Sequence, residues 1–332
     1  MNYIDETRND SFQELGKSDI EGLINQIENY YLSYRTSLDL DESVTFGIEI
    51  EYEKLSKRVI DRFVSKKVSN WKSTTDSSLI SGGEVISPIL TDRKQTWSEI
   101  KLICQKLKNR HANADINAGA HIHIGASILG ENREYWLKFM KVYAAYESIL
   151  LRFFYGDKVN ARKNIWQYAP PTADAIYCQL LKSYKYTDTK EMLKNGYLLS
   201  EKYNALSFVH INIFDLADKY GDNTVEFRAS NGTLNEVIWQ NNINTAAKLM
   251  IAPTKGLIDE DFLDYKLENN WISATELNMY NRINLPLALE LVDMIFDNNL
   301  DKVYFLRQYL KNYQEISIDP CHAVKAKRFT LR

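Results

Sequence analysis

Residues 46–53 alternate without a break, F-G-I-E-I-E-Y-E. Phe46, Ile48, Ile50 and Tyr52 fall on one side, and Gly47, Glu49, Glu51 and Glu53 on the other, which predicts a half-buried strand. Residues 118–126, A-G-A-H-I-H-I-G-A, repeat the design, with His121 and His123 opposed to Ile122 and Ile124. Residues 224–230, T-V-E-F-R-A-S, set Thr224, Glu226 and Arg228 against Val225 and Phe227. Shorter strands are expected over 71–76 and 83–89, joined by a Ser/Gly-rich turn, and another over 203–213. Glu84 projects away from the apolar side of its segment, and Asp76 lies just upstream.

Helical periodicity marks other segments. Leu15, Ile20, Leu23, Ile24, Ile27 and Tyr31 form a stripe over 11–36, with Ser18 and Glu21 spaced as a capping box. A short helix is expected over 58–63. A longer one is expected over 96–110, capped by Thr91 or Asp92. An amphipathic helix should span 132–154 and another 173–182, separated by a loop over 156–171. From residue 236 the signals are helical: 236–251, 259–269, 274–282, 286–297 and 301–313, then a basic, peripheral tail over 322–332. Strands do not alternate regularly with helices, so the pattern predicts an α+β fold with a mainly antiparallel sheet rather than a doubly wound one. It divides the chain into an N-terminal helical segment (1–45), a sheet with inserted helices (46–235) and a helical C-terminal region packed on the same domain (236–332).

Composition sharpens this picture by exclusion. The 332 residues are 45% hydrophobic and 26% charged, with a net charge of −3, which suits a globular protein and argues against nucleic acid as the main partner. The polar, acidic start M-N-Y-I-D-E-T-R-N-D is unlike a signal peptide, and no apolar run reaches the ~20 residues of a membrane span. Cys104, Cys178 and Cys321 are scattered and form neither a metal cluster nor a disulfide framework. A cytoplasmic protein with no membrane partner is expected.

The polar strand faces carry the chemistry. Same-face neighbours on a strand are about 6.7 Å apart, where two carboxylates repel by about 2–3 kcal/mol at an effective dielectric near 20. Such a face is either bathed in solvent or holding positive charge. If the strands share one sheet, Glu49, Glu51, Asp76, Glu84, Glu226, His121 and His123 gather on one side. Gly47, Gly83, Gly119 and Gly125 beside them would let a ligand approach the backbone. Oxygen-rich ligands with few nitrogens favour Mg²⁺ or Mn²⁺ over zinc. Two or three such ions with Arg228 nearby suit phosphoryl transfer. There is no Walker-type G-x-x-x-x-G-K-[S/T] and no kinase glycine loop, so the sheet itself would hold the nucleotide.

These residues resemble a known family. G-I-E-I-E (47–51), D-S-S-L (76–79), G-G-E-V-I-S-P (82–88), A-G-A-H-I-H-I-G (118–125), K-Y-N-A-L (202–206) and T-V-E-F-R (224–228) are similar, in order, to motifs of the amidoligase branch of the glutamine synthetase and glutamate–cysteine ligase superfamily. The resemblance implies a curved antiparallel sheet forming a half-open barrel around ATP and metal ions. It also implies amide formation between a small-molecule or peptide carboxylate and an amine through an acyl phosphate. Carried over motif by motif, Glu49, His121 and Glu226 would hold the ion bridging the β- and γ-phosphates. Glu51, Asp76 and Glu84 would hold the ion nearer the carboxylate. His123, Arg228 and Glu84 would act in catalysis, with His123 facing the transferred phosphoryl group or the substrate and Arg228 stabilising its charge.

Several points stay open at this level. Glu53 extends the acidic row, so Glu51 and Glu53 are an alternative ligand pair, although Gly47 favours Glu49 and Glu51. Arg162, Lys163, Lys202 and Asn204 are candidates for contacts to nucleotide or substrate. The N-terminal helix and helical third would cover the site or form a homo-oligomer interface. A metal-dependent amide hydrolase is the main rival, but it needs more histidines, and His111, His210 and His322 lie in no comparable setting. An inactive family member that binds metal or a partner is the other rival.

Overall fold

A computed structural model describes residue 27 and residues 30–310, apart from 69, 80, 115–116, 155–164, 196, 220–222 and 270–284. Its centre is a six-stranded sheet of β1 (Phe46–Tyr52), β2 (Lys72–Thr74), β3 (Gly83–Ile86), β4 (Gly119–Gly125), β5 (Leu206–Ser207) and β6 (Thr224–Asn231). The spatial order is β2-β3-β1-β4-β6-β5, and every pairing is antiparallel. The sheet is open, and the mixed α+β class follows from the helices packed on it.

Those helices are α1 (Lys57–Lys67), α2 (Lys94–Lys108), α3 (Arg133–Phe154), α4 (Ala173–Ser183), α5 (Thr189–Lys194), α6 (Glu236–Ile251), α7 (Glu260–Asn269), α8 (Leu285–Ile295) and α9 (Asn299–Leu310), with a single helical turn at Ile165–Tyr168. Ile48, Ile50, Ile122, Ile124, Val225 and Phe227 supply the buried face of the sheet. Against it, α3 packs on β6 and α6 on β4. Phe227 meets the rings of Phe139, Tyr143 and Phe154 at centroid distances of 6.4, 6.4 and 6.2 Å, and Phe46 stacks on Trp97 at 5.5 Å. Aromatic contacts of this kind add about 0.5–1.5 kcal/mol each beyond area burial. One hydrophobic cluster continues from Leu38 through the sheet into α8 and α9. Among the described residues no helix is long and apolar enough to cross a membrane.

Several expectations are corrected. Most of the 11–36 helix, with Ser18 and Glu21, lies outside the described residues, as do 274–282 and 322–332; within the described part, 30–36 are not helical. Neither Thr91 nor Asp92 caps α2, whose N-cap is Arg93. The Asp92 carboxylate is engaged elsewhere, accepting from the Leu38 and Leu40 amides and from Trp97 Nε1. The expected strand over 203–213 shrinks to β5. Backbone turns close at Ile211 N→Phe208 O (3.0 Å) and Asp215 N→Asn212 O (3.1 Å), and distant Asn223 holds the turn by accepting from Asn212 N and donating to Asp215 O. The helix expected over 58–63 grows to eleven residues. Helix α5 had no sequence expectation; Asp188 caps it by accepting from the Lys190 and Glu191 amides.

Of the glycines beside the polar faces, Gly83 and Gly125 are required by close packing, whereas Gly47 has only ordinary contacts and lines the smaller cavity. A Cβ on Gly83 would lie 2.4 Å from Thr74 O, and one on Gly125 would lie 2.2 Å from Thr45 Oγ1. Gly82 is tighter still, with a Cβ placed 1.9 Å from Tyr52 O and 2.9 Å from Glu53 Cα. Backbone cannot yield as a side chain does, so β3 docks beside the end of β1 only if residue 82 lacks a side chain. Gly82→Ala should therefore cost about 3 kcal/mol of stability, read as a lowered denaturation midpoint; a variant as stable as the parent would contradict this packing.

Candidate metal and active site

The register of the sheet assembles the site. Residues directly opposite each other on antiparallel strands share a face with Cβ atoms about 5 Å apart. Glu49 stands opposite His121, and Glu51 opposite Glu84. His123 stands opposite Glu226. The polar faces of β3, β1, β4 and β6 thus form one continuous surface. Asp76 joins it from the turn after β2, where its Oδ1 accepts from Ser78 N at 2.6 Å.

His121 is central. Its Nδ1 lies 2.8 Å from Glu49 Oε2 and 3.5 Å from Glu226 Oε1, and its Nε2 lies 3.4 Å from Glu51 Oε1. His123 Nε2 lies 3.3 Å from Glu49 Oε1. Arg228 Nη1 donates to Glu226 Oε1 at 2.5 Å, and its Nε donates to the Tyr168 carbonyl at 3.4 Å. Gly119 N donates to Glu51 Oε2 at 2.5 Å.

Protonation follows this geometry. Burial alone would raise the Glu49 carboxyl, but hydrogen bonds and charge from His121 and His123 overcome it and hold Glu49 well below the usual carboxylate range. Glu84 goes the other way, pushed up to about 8 by burial and by the charges of Glu49, Glu51 and Asp76. Burial would lower His123, yet its hydrogen bond to Glu49 and the charges of Glu226 and Glu49 raise it.

The donors fall into groups able to hold cations. Glu49, His121 and Glu226 bring ligand atoms within 4.8 Å of one another, as do Glu51, Asp76 and Glu84, and His123, His210 and Glu226. The buried His121 Nε2 and Glu226 Oε2 have no hydrogen-bond partner, and leaving such atoms unsatisfied costs about 1–3 kcal/mol each. An oxygen-rich donor set with orphaned buried atoms fits divalent cations.

The first two groups line a cavity of about 690 Å³, together with Ser77, Ser78, Gln167, Tyr168, Lys202, Tyr203, His210 and Arg228. A second cavity of about 300 Å³ lies beside it, lined by apolar Phe46, Ile48, Ile86 and Ile89 and by Ser87, Lys219 and Asn223. Glu49 and His210 line both.

Of the residues singled out in the sequence, Glu49, Glu51, Asp76, Glu84, His121, His123, Glu226 and Arg228 come together. Lys202 lines the larger cavity, with its Nζ 5.7 Å from the Tyr203 ring centroid, whereas Asn204 does not line it. Arg162 and Lys163 lie outside the described residues. Glu53 is turned to other work, accepting from Asn117 Nδ2 at 3.0 Å, and it belongs to none of the three donor groups.

The expectation that His210 lies in no setting comparable to the His121/His123 pair is corrected. Its ring centroid lies 5.4 Å from that of His123, and its Nε2 lies 3.6 Å from Glu226 Oε2. No sequence periodicity signals it, because a turn rather than a strand delivers it.

The antiparallel sheet turns a row of carboxylates and histidines into one cavity that Arg228 also lines, with donor groups spaced closely enough to hold cations. The family follows from comparison with known proteins. Residues 42–250 match the family model described as "Putative amidoligase enzyme". The match spans well over half of the chain, and the chain belongs to this amidoligase family. It takes in every strand of the sheet and runs nearly to the end of α6. No curated protein matches the chain significantly.

The raised Glu84 carboxyl sets a pH dependence for the metal-free protein. Its protonated form supports the fold at low pH, and that support is lost as pH rises from the ordinary 4.5 through about 8. The metal-free melting temperature should fall over that window, and Glu84→Gln should flatten the decline. Identical pH profiles for Glu84→Gln and the parent would contradict the crowding of carboxylates described here.

Proposed function

We propose that the chain is an ATP-dependent carboxylate–amine ligase. In the proposed reaction a substrate carboxylate oxygen attacks the γ-phosphorus of ATP, releasing ADP. An amine then attacks the acyl carbon, loses its proton, and displaces inorganic phosphate to leave an amide. The observation that supports this most is the pair of carboxylate-rich donor groups side by side on one sheet face, with Arg228 against the shared Glu226. The family match makes amide formation the expected chemistry.

On this reading Glu49, His121 and Glu226 hold one cation and Glu51, Asp76 and Glu84 a second, Mg²⁺ or Mn²⁺ in each case. When bound, such ions neutralise phosphate charge and polarise the oxygens around phosphorus. The chain's own residues do the rest. Arg228 is fixed at two of its nitrogens, so it presents charge to the transferred group with little reorganisation. His123, held between Glu49 and Thr224, faces the same region. Lys202 adds positive charge on the wall of the larger cavity, where a carboxylate substrate would enter. The smaller, more apolar cavity suits the base and ribose of the nucleotide. A sheet whose two halves both reach the larger cavity, through Glu84 on β3 and Glu226 on β6, is consistent with the glutamine-synthetase-like half barrel.

The test is ATP turnover with Mg²⁺ against panels of carboxylates and amines, with products read by mass spectrometry. ADP and amide should form together and cease with chelator. Glu49→Gln and Glu226→Gln should each lower the rate by about 10²–10³-fold, as loss of preorganised electrostatic groups does. Amide cleavage without nucleotide would establish the hydrolase instead, and full activity in Glu49→Gln would overturn the site assignment.

A further inference from the structure

His210 has no role in either carboxylate-rich group, yet its imidazole is aimed at the side of Glu226 that those groups leave unused. We propose that His123, His210 and Glu226 form a third cation site, selective for a borderline first-row ion such as Zn²⁺ or Co²⁺ over Mg²⁺. The three residues bring ligand atoms within 4.8 Å of one another.

Glu226 divides its two oxygens. Oε1 accepts from Arg228 and lies 3.5 Å from His121 Nδ1. Oε2 is buried without a hydrogen-bond partner and lies 3.6 Å from His210 Nε2. A buried carboxylate oxygen left in this way is costly, and a cation between it and two imidazoles relieves the cost. The histidines are also oriented for the task. His123 Nδ1 is engaged by Thr224 Oγ1 at 3.3 Å, which leaves Nε2 facing Glu49 Oε1 at 3.3 Å and Glu226 Oε1 at 3.8 Å. The amide of the same Thr224 donates to the His210 carbonyl at 3.3 Å. Thr224 therefore orients the His123 ring, in the manner of the outer partners of metal-binding imidazoles, and tethers the His210 backbone beside it.

The donor chemistry separates this site from the other two. Two nitrogens and one oxygen suit Zn²⁺ or Co²⁺, whereas Mg²⁺ prefers oxygen and gives up water reluctantly. The shared Glu226 would bridge this ion to the one held by Glu49 and His121, a carboxylate bridge of the kind found in two-metal centres. His210 lines both cavities, so the ion would stand at their boundary.

The inference adds His210 to His123 and Glu226, which the ligase reading already uses, and its test needs no nucleotide. The full chain, stripped of metal by chelator, is titrated with Co²⁺ in excess Mg²⁺ and followed by visible absorption. One equivalent of Co²⁺ should bind with a d–d band that Mg²⁺ does not displace. His210→Ala should weaken that equivalent at least about tenfold. Thr224→Val, which removes only the orienting hydroxyl, should weaken it by about tenfold as well. Asp76→Asn, outside this set, should leave the band unchanged. The imidazole of His210 is 41% exposed, so its removal spares the fold. A wild-type chain with no Mg²⁺-resistant Co²⁺ equivalent, or His210→Ala binding as the parent does, would overturn the site. A chain that holds the ion yet makes no amide would overturn the ligase reading alone.

Discussion

Glu51 and Glu84 stand directly opposite each other on neighbouring strands, with Glu49 and Asp76 close by and Glu226 across His121. Two carboxylates about 5 Å apart repel by about 3 kcal/mol at an effective dielectric near 20. The neighbours that answer this charge are few: His121 and His123 serve Glu49, Arg228 serves Glu226, and the Gly119 amide serves Glu51. Asp76 and Glu84 depend on little more than a turn amide and distant Lys202. A chain that spends stability in this way on one face must recover it elsewhere, and divalent cations on that face are the compensation proposed here.

The opposite face of the sheet makes the arrangement tolerable. Isoleucines on β1 and β4, and Val225 and Phe227 on β6, pack against α3 and α6 in a continuous apolar layer. Because side chains alternate, each buried isoleucine fixes the direction of its polar neighbour. A slip of one residue in β1 would bury Glu49 and Glu51 among aromatics and expose Ile48 and Ile50. The hydrophobic face thus specifies the register, and the register specifies which acids meet which histidines. Substitutions in the core beneath β1 should consequently be felt at the site.

Much of this was readable in advance because it is local. Period-2 alternation in β1, β4 and β6 placed Glu49, Glu51, His121, His123, Glu226 and Arg228 on polar faces. The helix expected over 236–251 is observed as α6, where Asn235 caps the first turn by accepting from Val237 N. What escaped depends on distant partners. Residues 203–213 read as strand, but only Leu206–Ser207 pair, and the following turns are held by Asn223. Asp92 reads as a cap but is claimed by the loop at 38–40. Glu53 reads as an alternative ligand, but Asn117 holds it and it joins none of the donor groups. His210 carries no periodic signal at all, since only the folded turn brings it against Glu226. The expected ligand partners of Glu49 and Glu51 could be named only through the family resemblance, because spacing along one strand says nothing about which other strand lies beside it.

The central claim is that this acidic face is a cation-binding surface rather than a solvated one. The most direct measurement is the melting temperature of chelator-treated protein, with and without saturating Mg²⁺ or Mn²⁺, for the parent and for Glu49→Gln/Glu51→Gln. An ion at 100 times its dissociation constant adds about 2.7 kcal/mol to the folded state per site. The account predicts a clear rise for the parent and little or no rise for the double variant. A parent protein whose melting temperature ignores both ions, at pH values where the carboxylates are charged, would contradict it.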